Sequence, residues 1–297
     1  MAYEPGASWS QHDPSEQPYL DKTKAAYGAP LEPVDFVHAA EAGRTHINKW
    51  VADQTNQRIT NLLPPPAITE QTRMVLVNAL YFLADWAQPF EPRLTNPAPF
   101  LKAAGSKADV PTMHTMSTFR FAKTDGVSVL ELPYQGGDVA MLLVLPDQVD
   151  GVTGLENSLE AAKLTAWQAA LQSQQVAVAL PRFTIDPPDP VELSATLKAL
   201  GMQSAFDSNR ADFTAMAAPR NPEDRLFISA VFHKAFVKVD EKGTEAAAAS
   251  AVVMAPAGAP PRPAVEFKAD HPFLFFIVDK PSGLILFAGR VADPSAK

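Results

Sequence analysis

Apolar positions first recur at helical three-and-four spacing, over 38–63, and then switch to strand-like runs. Residues 16–28 read as a short helix, with Pro18 in its first turn and Gly28 as its stop. Ile47, Trp50, Val51, Ile59, Leu62 and Leu63 hold helical spacing across 38–63, and Pro64-Pro65-Pro66 ends that stretch. Arg73 to Phe82 (RMVLVNALYF) is a strand apolar on both faces, Met74, Leu76, Leu80 and Phe82 against Val75, Val77 and Ala79. Two-sided burial predicts a central strand covered above and below. Strand patterns follow at 118–122, 127–134 and 138–146, the last bounded by Gly136-Gly137 and Pro146-Asp147. A helix is predicted over 155–171, a strand over 175–185, a helix over 190–200 closed by Gly201, and a long strand over 226–239. The tail, 265–291, reads as a pair of strands turning at Lys280-Pro281-Ser282-Gly283. Helices and strands are interspersed without a regular alternation, which predicts an α+β fold rather than a doubly wound sheet.

Residues 241–264, rich in Ala and Pro, break the pattern. Composition alone would suit a linker. Only about thirty residues of strand follow, too few and too apolar to fold alone. The segment therefore predicts a long loop that leaves one strand and returns to the same core, and such loops are usually functional.

Composition narrows the chemistry. A chain of 297 residues that is 46% hydrophobic can bury a large core. The absence of Cys removes disulfide scaffolds, thiolate zinc sites and cysteine nucleophiles. A net charge of −8 disfavours nucleic-acid and anionic-membrane partners. The 28 Pro, nearly twice the usual share of about 5%, belong in connections and edges rather than in a helix bundle. Met1 to Ser10 has neither the basic cluster nor the apolar stretch of a signal peptide, and no run reaches membrane-span length. No G-x-S-x-G elbow, H-E-x-x-H, phosphate loop or dinucleotide fingerprint is present, so neither catalysis nor a cofactor is expected. His12, His38, His46 and His114 lack a carboxylate or second His at ligand spacing, so no metal site is expected.

Several ordered blocks resemble the serpin family, protease inhibitors that insert a cleaved loop into their own sheet. Phe267 to Ile277 (FKADHPFLFFI) is similar to the family's C-terminal signature. Val77 to Phe82 (VNALYF), with Trp86 and Phe90 after it, resembles the central sheet strand and its turn. Leu130 to Asp147 (LELPYQGGDVAMLLVLPD), Leu180 to Phe183 (LPRF) and Leu197 to Phe206 (LKALGMQSAF) match further blocks. Phe232 to Ala249 (FHKAFVKVDEKGTEAAAA) runs into a reactive-loop hinge, and the likeness extends from about Trp9 to Pro294. The resemblance implies one serpin-like domain over 1–297, with a large mixed β-sheet, smaller sheets, surrounding helices and an exposed reactive-centre loop at 241–264. It also implies a short, bacterial-type member lacking the family's first helices, whether as a truncated gene model, a fragment or a divergent form.

The implied function is suicide inhibition of a serine protease by a monomer, extracellular by family resemblance. The alternatives are a non-inhibitory serpin with a binding or carrier role, or an inactive truncated fragment. The hinge residues are Glu241, Gly243, Thr244, Glu245, Ala246, Ala247, Ala248 and Ala249. In strand alternation, Thr244, Ala246, Ala248, Ser250, Val252 and Met254 share one face, and Glu245 falls on the other. Gly243 offers a permissive pivot. The same segment is good helix-forming sequence, so an exposed, partly helical loop is expected before cleavage. Counting seventeen residues inclusively from Glu241, as in inhibitory family members, puts the scissile bond at Ala257–Gly258. Met254 and Ala255 are the slip candidates. Small residues there suit an elastase- or subtilisin-like protease. Arg262, suited to a trypsin-like enzyme, comes five residues too late. By the same resemblance, His233 is the shutter histidine with Asn78 as its partner, the plainer reading being a satisfied core histidine. Trp86 lies where the loop enters, unless it serves only as core packing.

Overall fold

In the computed structural model, which describes residues 7–10, 17–27, 31–72, 74–77, 81–102, 105–218, 225–244 and 264–296, the chain opens with β1 (Ala7–Ser10), α1 (Gln17–Tyr27), β2 (Leu31–Pro33), α2 (Phe36–Gln54) and β3 (Met74–Val77). Strands then dominate: β4 (Ala84–Asp85), β5 (Asn96–Leu101), β6 (Lys107–Thr124), β7 (Val127–Pro133) and β8 (Val139–Pro146). Helices α3 (Val152–Asn157) and α4 (Ala161–Ala170) precede β9 (Gln172–Pro181), β10 (Phe183–Ile185) and β11 (Val191–Glu192). After α5 (Ser194–Ala199) come β12 (Phe232–His233), β13 (Val237–Val239), β14 (Gly243–Thr244), β15 (Val265–Lys268), β16 (Phe273–Asp279) and β17 (Leu284–Val291). The chain divides into two units, Phe82–Ile185 with Val237–Lys297, and Ala2–Tyr81 with Asp186–Phe236.

The first unit carries a large sheet in the order β15-β9-β6-β7-β8-β16-β17, with β5 added against β6. It is mixed, because β15 runs parallel to β9 while the other neighbours are antiparallel. Burial explains the continuous apolar runs: β8 and β16 are covered on both faces. On one face α3 and α4 lay Val152, Leu155, Leu164 and Trp167 over Leu142, Val144, Leu274 and Phe276. On the other, Phe183 meets Phe273 edge-on at 5.9 Å. The same unit holds a smaller sheet, β10-β13-β14-β4.

The second unit contains the sheet β2-β1-β3 and the pair β11-β12. Its core joins Phe36, Ile47 and Val51 of α2 to Ile59, Leu62, Leu63, Ile68 and Phe236. Tyr81 and Phe236 form a parallel bridge there.

Several elements differ from the sequence reading, each for a local reason. Helix α2 stops at Gln54, not at residue 63. Asn56 and Gln57 turn to positive φ, the Thr55 hydroxyl donates to the Val51 carbonyl, and Asn48 holds both backbone groups of Leu63. The folded-back segment keeps apolar residues on the helix side, which mimics helical spacing. The predicted helix over 155–171 is two helices, separated where Ser158 caps α3 and Glu160 is extended. The strand predicted over 175–185 is split at Arg182, and its halves belong to different sheets. The predicted long strand over 226–239 pairs regularly only at β12 and β13. The sequence reading assigned no element to β5, which carries Pro97 and Pro99; both are tolerated on an edge strand. The tail holds three strands rather than two, with the turn at 280–283 closed by Gly283 N–H to the Asp279 carbonyl.

Candidate functional site

The smaller sheet of the first unit gathers most of the described hinge residues. Residues 240–244 make a tight reversal between β13 and β14, in which the Asp240 amide donates to the Gly243 carbonyl at 3.0 Å and the Lys242 amide to the Asp240 carboxylate. Strand β14 then enters the sheet, Thr244 lying between Val239 and Ala84, and Gly243 opposite Asp85. Only glycine fits at 243, since a Cβ there would stand 2.1 Å from the Ala84 carbonyl oxygen.

Three cross-links fasten this reversal. Glu241 is buried, and its carboxylate accepts from Arg182 Nε at 2.7 Å, from a second Arg182 nitrogen and from the Thr95 hydroxyl at 2.5 Å. Burial disfavours its charge, but the hydrogen bonds from Arg182 and Thr95 outweigh that and hold the carboxyl below its ordinary range. Trp86 donates its indole N–H to the Asp240 carbonyl at 3.0 Å and its amide to the Lys242 carbonyl at 2.7 Å. The indole stacks on the Tyr134 ring at 4.5 Å with 12° between planes. The Tyr134 hydroxyl in turn shares a 2.7 Å hydrogen bond with the fully buried Thr244 hydroxyl. Burial pushes the Tyr134 phenol well above its usual range, so it stays protonated.

The structure thus brings Trp86, Glu241, Gly243 and Thr244 together. It adds Thr95, Tyr134 and Arg182, which the sequence reading did not single out. A charged residue between two apolar strand runs was the available signal for Arg182. Tyr134 and Thr95 gave none. His233 lies on β12 of the second unit, opposite Val191, with an exposed side chain. A two-residue strand in a two-stranded pair leaves one of its faces to solvent. Asn78, Glu245, Ala246, Ala247, Ala248, Ala249, Met254, Ala255, Ala257, Gly258 and Arg262 lie outside the described residues. Both chain ends that flank 245–263, β14 and β15, belong to the first unit.

Two histidines do have carboxylate neighbours, contrary to the reading from spacing: His38 Nδ1 is 3.0 Å from Asp35, and His46 Nε2 is 2.9 Å from Glu32. Among the described residues, no three His, Asp or Glu side chains come together to hold a metal ion. Likewise no described helix is long and apolar enough to cross a membrane.

Known proteins resemble this chain along nearly its whole length. Residues 7–294 match the model of the Serpin (serine protease inhibitor) family. Leukocyte elastase inhibitor from Sus scrofa is 42% identical over 284 residues, covering 93% of this chain and 73% of that protein. Antithrombin-III from Homo sapiens is 39% identical over 280 residues, 94% of this chain but 59% of that protein. Among solved structures, uncleaved ovalbumin superimposes with a TM-score of 0.84 at 32% identity, over 98% of this chain and 73% of that one. Serpin48 of Tenebrio molitor gives 0.84 at 34% identity, over 98% and 75%.

Proposed function

The chain belongs to the serpin family, and from that premise we propose that it traps a serine protease as a single inhibitory domain with a reactive loop at 241–264. The observation that carries this reading is β14: Gly243 and Thr244, near the start of the loop, already form a strand between β13 and β4, with Thr244 facing the core. That phase puts Ala246, Ala248, Ser250, Val252 and Met254 on the core face of any extension, and the charge of Glu245 on the other.

The reaction begins when the protease serine oxygen attacks the Ala257 carbonyl. The Ala257–Gly258 peptide bond breaks, Gly258 leaves as an amine carrying a proton from the protease's general acid, and an ester joins the protease to Ala257. The cut releases the arm from β15, and residues after Thr244 lengthen β14 between its neighbours. About a dozen new ladder hydrogen bonds at about 0.5–1.5 kcal/mol each give on the order of 10 kcal/mol, comparable to a domain's whole stability. That release can distort the tethered protease before water cleaves the ester. A small primary pocket on the target suits Ala255-Pro256-Ala257, and relatives named leukocyte elastase inhibitor support an elastase-like enzyme.

The test is to mix the protein, as a monomer, with an elastase and with subtilisin. The expected result is a covalent complex that survives SDS and a released fragment beginning at Gly258. Cleavage without a complex would overturn inhibition, and a fragment beginning elsewhere would move the scissile bond.

A further inference from the structure

Tyr134 sits at the turn between β7 and β8, with 1% of its surface exposed. Its backbone is fixed by an N–H donated to the Val139 carbonyl at 3.0 Å. Its ring is clamped between Trp86, stacked at 4.5 Å, and Phe82, edge-on at 4.8 Å. The phenol therefore cannot swing to another partner, and its hydroxyl meets only Thr244 Oγ1, at 2.7 Å, among the described residues. Thr244 is equally committed, being fully buried with that one side-chain hydrogen bond. The bond exists only while Thr244 is in register with Ala84. If the hinge leaves the sheet, a buried phenol loses its partner.

We propose that the Tyr134 hydroxyl is a positioning residue for the loop, a latch that keeps Thr244 seated in the sheet so that insertion starts from a strand already begun. A hydrogen bond of this kind shifts an equilibrium by about 5- to 30-fold. Most molecules then meet a protease with the hinge in place. Without the latch the strand has to be nucleated after the ester forms, and water has longer to release the protease. The last step rests on the inhibitory reading; the seating of Thr244 does not.

The chain has no Cys, so a single Glu245→Cys carries an environment-sensitive fluorophore on the residue that follows Thr244, without background. Emission is compared in the parent, Tyr134→Phe, Thr244→Val, Thr244→Ser and the Phe/Val double variant. Tyr134→Phe and Thr244→Val are expected to shift emission alike toward the solvated probe, the double variant no further, and Thr244→Ser not at all. In unlabelled protein with Glu245 intact, Tyr134→Phe should raise the moles consumed per elastase trapped by about 5-fold. Thr244→Ser should match the parent. Unchanged emission in both single variants, or shifts that add in the double variant, would overturn the latch. Circular dichroism checks that each variant is folded, and Thr244→Val carries the test if Tyr134→Phe is not. If the parent traps no protease, inhibition fails, while the emission series still decides the latch.

Discussion

The two sheets of the first unit are held by different means. In the large sheet, β6 and β9 pair continuously from Thr112–Pro181 to Phe121–Gln172, and β16 is paired along its length with β8 and β17. Those ladders are sealed by apolar side chains on both faces of β8 and β16. In the hinge sheet β13 meets β14 at Val239–Thr244 alone, and β14 meets β4 at two positions. So short a ladder cannot hold a strand by itself. Side chains supply the rest: Arg182 and Thr95 on Glu241, Tyr134 on Thr244, Trp86 on Asp240. A long ladder resists change at every rung, whereas a strand held by a few cross-links can be lengthened or withdrawn without disturbing the rest.

Gly243→Ala should break that contrast most severely. Its Cβ would collide with the Ala84 carbonyl at 2.1 Å, so β14 must leave the sheet. Trapping should fall by more than about 100-fold, equivalent to about 3 kcal/mol. Amide exchange at Leu142–Val144 should be unchanged, and loss of protection there would show the two sheets to be one cooperative piece. Leu142→Ala is the converse. Removing a fully buried side chain costs about 3 kcal/mol and should lower Tm by about 6–12 °C. A fluorophore at position 245 should read the same below the transition; a shifted signal would refute independence.

Glu241→Gln should have a smaller effect, about 2 kcal/mol, because Arg182 is half exposed and can turn to water. It should raise the elastase-inhibition stoichiometry, and an unchanged value would remove the ion pair from the account. The smallest effect expected is with pH. The folded Glu241 carboxyl titrates below its ordinary value near 4.5, so the unfolded chain binds more protons as pH falls. Its contribution is complete above that value and is lost as pH drops through the folded one. The hinge fluorophore should be flat from pH 7 to about 5 and change below about 4.5. In Glu241→Gln it should be flat throughout.

What could be read from the sequence followed from local chemistry. Gly201 (φ +105°) follows the last turn of α5, and Gly283 closes the last hairpin. The family blocks pointed to Trp86, Glu241, Gly243 and Thr244 as well. What stayed hidden depends on contacts distant in sequence. Tyr134 lies 110 residues from Thr244, and Thr95 lies 146 from Glu241. Nothing near either residue marks its partner. Arg182 was absorbed into one strand because apolar runs flank it, although it is the corner between two sheets. Strand β5 gave no legible signal, since its prolines break the usual strand pattern while an edge strand needs fewer amide donors than a central one.

Thermal unfolding before and after a single cut in the reactive loop tests the central claim most directly. If β14 is the start of a strand that lengthens on cleavage, about 10 kcal/mol of new pairing should raise Tm by about 20–40 °C. A cut chain that melts at the temperature of the intact one would contradict the account.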